Sequence, residues 1–329
     1  MGVTSEALTL PGEALTPRTR GKKLVAGTAF ALLTIGATVL VGGRLSHTSW
    51  PLERARMSFV GAAAGLYFAS FVLRALGWRK LFPSEHRPGR SRCLAACGAA
   101  AASGIVLPFR LDYAVKIATL RRLPGVRLGL EAIALSIVSL GLVDAVAFLP
   151  LSISATAATS PGFRVPLILV VLFGLGACGI LAGSSHLVRL PFVARRARLS
   201  KLAARAPNHS GARSRDAAQA WLYLVGCWSS RAVGNMLLLA ALGAGFSPAV
   251  TLVVLCLGAA AALIPITSGG AVANVGTTAA VLLALGVHRE QAINFGLASG
   301  LLIGASALAA SLVGFLCAVV ARRLPAVAA

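Results

Sequence analysis

Carboxylates are scarce in this sequence, nine Asp and Glu against 31 Lys and Arg. Membrane enzymes that use polyprenyl-linked sugars generally need carboxylates in outward loops, to activate an acceptor or hold a metal. The candidates here, Glu53, Glu290 and Asp144 at a span end, are too thin a set for that chemistry. Histidine is also sparse, five in all, and each one falls at or outside the end of an apolar run. That removes an intramembrane proton relay. It also leaves Ser268, which precedes two glycines, without the base an intramembrane serine protease requires. The six cysteines (Cys93, Cys97, Cys178, Cys227, Cys256, Cys317) form no C-x-x-C pair and read as small packing residues rather than a metal or redox centre. No cofactor is implied, and the chain is expected not to be an enzyme.

Apolar length is what the sequence has in abundance. With 57% apolar residues and a mean hydropathy of +0.83, the chain exceeds what a soluble domain can hide. Six runs are long enough to cross the hydrocarbon core as helices: Leu24 to Gly43, Met57 to Leu76, Leu128 to Pro150, Val165 to Val188, Ala217 to Gly243 and Gln291 to Ala321. Two further apolar segments are interrupted, Leu94 to Phe109 by Pro108 and Thr251 to Leu285 by the stretch IPITSGGAVANVG. Backbone that leaves the helix at membrane depth must be buried in protein or line a wet cavity. The fold class expected is therefore all-α, a polytopic bundle of six full spans plus two broken or re-entrant hairpins. Residues 1–23 read as a disordered cytoplasmic tail, 24–321 as a single membrane domain and 322–329 as a second tail.

A soluble chain with a net charge of +22 would point to nucleic acid. Here the charge is topological. Basic residues gather before Leu24, in Arg79 to Arg92, Arg110 to Arg127 and Arg189 to Arg215, and at Arg322 and Arg323, while the linkers Leu151 to Gly162 and Ala244 to Pro248 have none. By the positive-inside rule the basic group is cytoplasmic, which puts both termini inside a bacterial inner membrane. Arg44, Arg54, Arg56, Arg164 and Arg289 run against that bias. Parity then makes the first hairpin enter from the cytoplasm and the second from outside.

The chain also repeats. R-A-L-G at Arg74 to Gly77 matches R-A-V-G at Arg231 to Gly234, an offset of 231 − 74 = 157. Pro108 meets Pro265, and Ala114-Val115 meets Ala271-Val272, at the same offset. Ala132-Ile133 aligns with Ala292-Ile293 after small insertions. The helices carrying Arg74 and Arg231 run in opposite directions, so halves of about 57–150 and 214–321 form an inverted-topology repeat. Such repeats often bind substrate near the midplane at broken helices.

Three places could hold a ligand. Arg231 lies near the middle of its span with Asn235 one turn on, and an arginine there costs roughly 2.5–3.5 kcal/mol on insertion scales. It must face an anionic ligand, a wet cavity or an ion-pair partner among Asp144, Glu131 and Asp112; Arg74 is its repeat equivalent. In the first hairpin, LPFRLDYAVK sets Arg110, Asp112 and Lys116 just after the proline, as a headgroup clamp or an interfacial anchor. In the second, Pro265 breaks the helix and Gly269-Gly270 allow close approach. A helix restarting near Ala271 would point free N–H groups inward, with Thr267, Ser268 and Asn274 beside them; the alternative is a packing break.

Taken together, R-A-L-G-W-R at Arg74 to Arg79, the L-P-x-R of Leu107 to Arg110 with Lys116 following, Asp144 in the middle helix and P-x-x-S-G-G before Gly286-Val287 resemble the lysylphosphatidylglycerol synthase transmembrane, or flippase-like, family. The resemblance implies a membrane domain concerned with lipids, associated in larger relatives with moving aminoacylated phosphatidylglycerol between leaflets. Those relatives carry a transferase domain that is not expected here. Where the family tends to have Glu after the Gly-Gly pair, this chain has Asn274-Val275. The family's Gly-Glu after L-P-x-R is Asp112-Tyr113 here, and its Glu-Arg before the middle Asp is Leu140-Gly141. The expected function is a lipid translocase for an anionic phospholipid or polyprenyl-phosphate-linked lipid. The competing expectation is a non-catalytic subunit that anchors a partner enzyme of lipid or cell-envelope synthesis.

Overall fold

A computed structural model describes residues 52–53, 55–105, 107, 111–123, 128–159, 161–187, 214–261 and 270–323. Its elements lie in the compact unit Trp50–Ala329. Among the described residues every regular element is helical: α1 (Met57–Lys80), α2 (Arg90–Ser103), α3 (Asp112–Arg122), α4 (Leu130–Ala157), α5 (Pro161–Leu187), α6 (Ser214–Ala241), α7 (Pro248–Ala261), α8 (Gly270–Ala284) and α9 (Arg289–Arg323), with a 3-10 turn at Ser84–His86. Five of them, α1, α4, α5, α6 and α9, are long and apolar enough to cross a membrane. The expected span Leu24 to Gly43 lies outside the described residues.

The four short helices form two pairs, α2 with α3 and α7 with α8, in the two segments expected to be interrupted. Pro108 and Pro265, which remove a helical hydrogen bond, fall between the members of each pair and outside the described residues. One boundary differs from expectation. α4 does not stop at Pro150 but runs on to Ala157. The hydroxyls of Ser152, Ser154 and Thr156 donate to the carbonyls of Leu149, Pro150 and Ser152 at 2.9, 2.8 and 2.8 Å, so the polar turn is satisfied within the helix. Pro161 then opens α5 where its missing N–H costs nothing, and the expected linker Leu151 to Gly162 shrinks to a turn. The joins flanking the second pair are tight for a different reason. Gly243 and Gly286 adopt φ of 78° and 82°, and the amides of Ala244 and Val287 reach back to Leu239 and Leu282 at 3.0 Å each, closing the ends of α6 and α8 as glycine caps.

Two halves share one order of elements, helix, broken pair, helix: α1, α2–α3, α4 and α6, α7–α8, α9. α1 begins at 57 and α6 at 214, a difference of 157, and α3 begins at 112 and α8 at 270, a difference of 158. The packing is exchanged between halves. α1 and α6 pack against each other most extensively; α9 packs on α1 and α2, as α4 packs on α6 and α7. The repeated glycines lie in the α1–α6 seam. A Cβ on Gly77 would meet the Leu224 side chain at 3.2 Å, and a Cβ on Gly234 would meet the Tyr67 ring at 3.1 Å. Leu224 and Tyr67 are themselves 224 − 67 = 157 apart, so one contact occurs twice, once from each half. Outward, Val165, Leu169 and Phe173 of α5 and Leu308, Leu312 and Phe315 of α9 are exposed, as lipid-facing side chains are in a membrane span.

Candidate functional site

The seam between α1 and α6 carries its polar side chains on one face of each helix, Tyr67, Ser70 and Arg74 on α1 and Trp228, Arg231 and Asn235 on α6, spaced three to four residues apart. The Tyr67 hydroxyl donates to Asn235 Oδ1 at 2.6 Å. Arg231 Nε donates to Ser70 Oγ at 3.2 Å, and that hydroxyl passes its own proton to the Tyr67 carbonyl at 2.7 Å. The Arg231 guanidinium lies 5.3 Å from the ring centres of both Phe71 and Trp228, within reach of a cation–π attraction. No carboxylate bonds to it among the described residues.

Asp144 has another partner. It projects from α4 to accept Arg74 Nη2 at 2.7 Å and Trp228 Nε1 at 2.8 Å, so the expectation that left Asp144 open as a partner of Arg231 is resolved in favour of Arg74. The pair is largely buried, with side chains 25% and 13% exposed. One carboxylate thus ties α1, α4 and α6 together.

Beside this network lies a cavity of about 380 Å³, at the small end of the roughly 300–1,000 Å³ typical of ligand sites. Its lining includes Arg74 and Phe71 of α1, Asp112 and Lys116 of α3, Trp228, Arg231 and Asn235 of α6, Thr278 of α8 and Ser299 of α9. Lys116 is only 5% exposed. Its Nζ lies 4.1 Å from the centre of the Trp78 ring, and that ring is fixed by its own N–H to Ser136 Oγ at 3.0 Å. Asn235, whose Oδ1 accepts from Tyr67, lines the cavity as well. Among the described residues the chamber therefore offers Arg231 and Lys116 without an ion-pair contact, the carboxylate of Asp112, the Asn235 amide and aromatic faces, and its excess of basic groups suits an anion.

Of the residues singled out from sequence, Arg74, Asp112, Lys116, Arg231 and Asn235 meet at this cavity, with Asp144 directly behind Arg74. Gly270 opens α8 and Asn274 follows in the same helix. Arg110, Thr267, Ser268 and Gly269, and the side chain of Asn274, lie outside the described residues. Sequence reasoning missed Tyr67, Trp228, Thr278 and Ser299. The first two had a signal: Tyr67 precedes Arg74 by seven residues and Trp228 precedes Arg231 by three, which are same-face spacings.

Fold and cavity define an integral, multi-pass helical membrane protein with a polar chamber among its broken helices. The family model described as Lysylphosphatidylglycerol synthase TM region matches residues 24–311, and the chain belongs to that family. It is thus a membrane protein of the lipid-synthase and flippase kind. No curated protein and no solved structure matches the chain.

Proposed function

We propose that this protein is a lipid translocase of the bacterial inner membrane. Its cavity takes the anionic headgroup of a phospholipid or polyprenyl-phosphate-linked lipid while the tails stay in the bilayer, and both termini are cytoplasmic. The observation that carries the reading is Arg231. It stands in a membrane-spanning helix, lines the cavity, and contacts a hydroxyl and two rings, with no carboxylate bonded to it among the described residues. A cation kept at that depth costs a few kcal/mol, on the order of 3 on insertion scales, and the natural compensation is an anion that comes and goes. Lys116 and Asn235 line the same chamber.

The volume supports a headgroup rather than a whole lipid, because about 380 Å³ cannot enclose acyl chains as well. Hairpins that enter from opposite faces, as the charge bias of the loops requires, would give such a site a route to each leaflet.

The test is reconstitution. Purified protein in vesicles containing a fluorescent phosphatidylglycerol, or a fluorescent polyprenyl phosphate, should move the label between leaflets. Arg231→Ala should slow that movement at least tenfold, with Arg231→Lys retaining part of it. Transport by Arg231→Ala at the parent rate, or no transport of either lipid by the parent, overturns the proposal.

A further inference from the structure

The headgroup reading leaves Lys116 unexplained. It stands on α3, whose 11 residues are too few to span a bilayer, and it shares the buried face of that helix with Leu120. Leu120 packs into the cluster of Trp78, Cys93 and Cys97. The charged and titratable groups facing Lys116 are Arg74 from α1, Cys93 and Cys97 from α2 and Asp144 from α4, with Asp112 one turn back on its own helix. Asp144 is committed to Arg74 and Trp228, and no ion pair among the described residues includes Lys116. The sequence carries this point further. After Trp50 every Asp and Glu lies among the described residues, so the remaining segments there, which hold Arg110 and Arg127, add only basic charge.

An amine taken out of water with no carboxylate paired to it is held toward its neutral form, because burial penalises the ammonium. The Trp78 face, 4.1 Å from Nζ, offsets part of that penalty. The protonated form is therefore within reach once a negative charge comes close. Arg231 cannot behave in this way, since a guanidinium keeps its proton. The five histidines fall at or outside the ends of the apolar runs, so no imidazole competes for the part.

We infer that Lys116 is a proton carrier: its amine is neutral in the empty cavity, takes a proton from water as the anionic headgroup arrives, and returns it to water on the other side as the headgroup leaves. The inference rests on the headgroup reading above and adds to it a proton that travels with the lipid. Only an N–H bond forms and breaks, so no further reactant is consumed. Arg231 and Lys116 then divide the work. The permanent charge attracts the anion, and the titrating amine balances it for the crossing. The sign follows from linkage. A bound anion favours the ammonium, so the occupied cavity holds more protons than the empty one and affinity falls as pH rises. The fall reaches about tenfold per pH unit between the empty-site and occupied-site titrations of Lys116, and vanishes outside that window.

Calorimetry on the purified full chain tests this, in buffers of different ionisation heat, with dioctanoyl phosphatidylglycerol as a probe whose phosphodiester keeps one charge across the neutral range. Where its affinity changes most steeply with pH, the parent should take up roughly one proton per lipid bound. Lys116→Arg, a cation that does not titrate, should bind without proton uptake and with an affinity independent of pH. Lys116→Met should do the same at the weaker affinity the parent shows at its alkaline end. In vesicles, acid on the side of the labelled lipid should speed its crossing by the parent at least threefold and leave Lys116→Arg unmoved. Binding by the parent with no proton uptake, or uptake by Lys116→Arg equal to the parent's, overturns this inference and leaves the headgroup reading standing. Loss of binding in both variants with helical content intact does the same, because it makes Lys116 a fixed contact. The parent measurement decides whether a proton accompanies the lipid whether or not a variant folds. No binding by the parent above a dioctanoylglycerol control overturns the headgroup reading and this inference with it.

Discussion

Arg74 and Arg231 hold equivalent positions in the two halves, and their surroundings differ in the one respect that decides their roles. Arg74 has an internal counterion at 2.7 Å; Arg231 has a hydroxyl and two rings. Stability measurements should separate them. Removing either partner of a buried ion pair strands a charge, so Arg74→Ala and Asp144→Ala should each cost about 2–3 kcal/mol, somewhat under the figure for full burial. The double variant should fall short of their sum by about 1–2 kcal/mol, as coupled neighbours do. Arg231→Ala should cost less than about 1 kcal/mol, since it forfeits a neutral hydrogen bond and weak ring contacts. Unfolding in a denaturing detergent followed by helical ellipticity checks all four, and a large loss for Arg231→Ala would make it a structural arginine. Part of the candidate site was legible in sequence: Arg231 stands in the middle of its span, where lipid makes a charge costly, Arg74 matches it at the offset of 157, and Lys116 follows the proline of the first hairpin. Which arginine claims Asp144 was not legible, because that depends on how α1, α4 and α6 pack. Thr278 and Ser299 gave no signal, since a hydroxyl in an apolar helix is cheap.

At the scale of elements, the prolines gave away the two broken pairs, and the change from apolar to basic composition marked some helix ends, such as those of α1 at Lys80 and of α9 at Arg323. The end of α4 did not show because Pro150 and the run of hydroxyls after it argue for a stop, whereas Ser152, Ser154 and Thr156 satisfy their hydroxyls on carbonyls within the helix. Close approach between helices is a further feature that composition hides in a chain with 35 glycines. Most of them do not matter in this way. A Cβ on Gly61 would meet nothing within 4 Å among the described residues. Gly98 of α2 differs: its Cβ would collide with the Ser311 amide nitrogen and come within 2.6 Å of the Ala307 carbonyl of α9. Both partners are backbone and cannot step aside, so α2 would have to lift from α9. Gly98→Ala should therefore destabilise by about 1–3 kcal/mol, the range for overpacking a tight interior. Gly61→Ala should be neutral or stabilise by up to about 1 kcal/mol through helix propensity. The same detergent titration distinguishes them, and equal effects would show that the α2–α9 contact has room for a methyl group.

Over the whole molecule the exchanged packing of the halves makes a sharper use of Arg74 possible. At the offset of Ala132-Ile133 with Ala292-Ile293, 292 − 132 = 160, the α4 run around Asp144 lies on the α9 run around Gly304, with Ser139 on Ser299, Leu142 on Leu302, Ala145 on Ala305 and Ala147 on Ala307. Asp144, the counterion of Arg74, therefore corresponds to Gly304, which has no side chain to offer Arg231. One half closes its charge internally and the other leaves it open toward the cavity. Supplying the missing counterion should close it. Among the described residues a Cβ at Gly304 would meet only the Cδ1 tip of Ile105, at 2.9 Å, a flexible end that can turn away, so Gly304→Asp should fold. If its carboxylate engages Arg231 as Asp144 engages Arg74, an incoming phosphate must compete with a tethered anion, and headgroup binding should weaken at least tenfold. Gly304→Asn fills the same space without the charge and should leave affinity within about threefold, the spread expected of a neutral change away from the ligand. Adding Arg231→Ala to Gly304→Asp should produce no further loss, because both act on the same charge. Equal effects of Asp and Asn at this position would mean that volume rather than charge governs the site, and would separate Arg231 from the repeat logic that pairs it with Arg74.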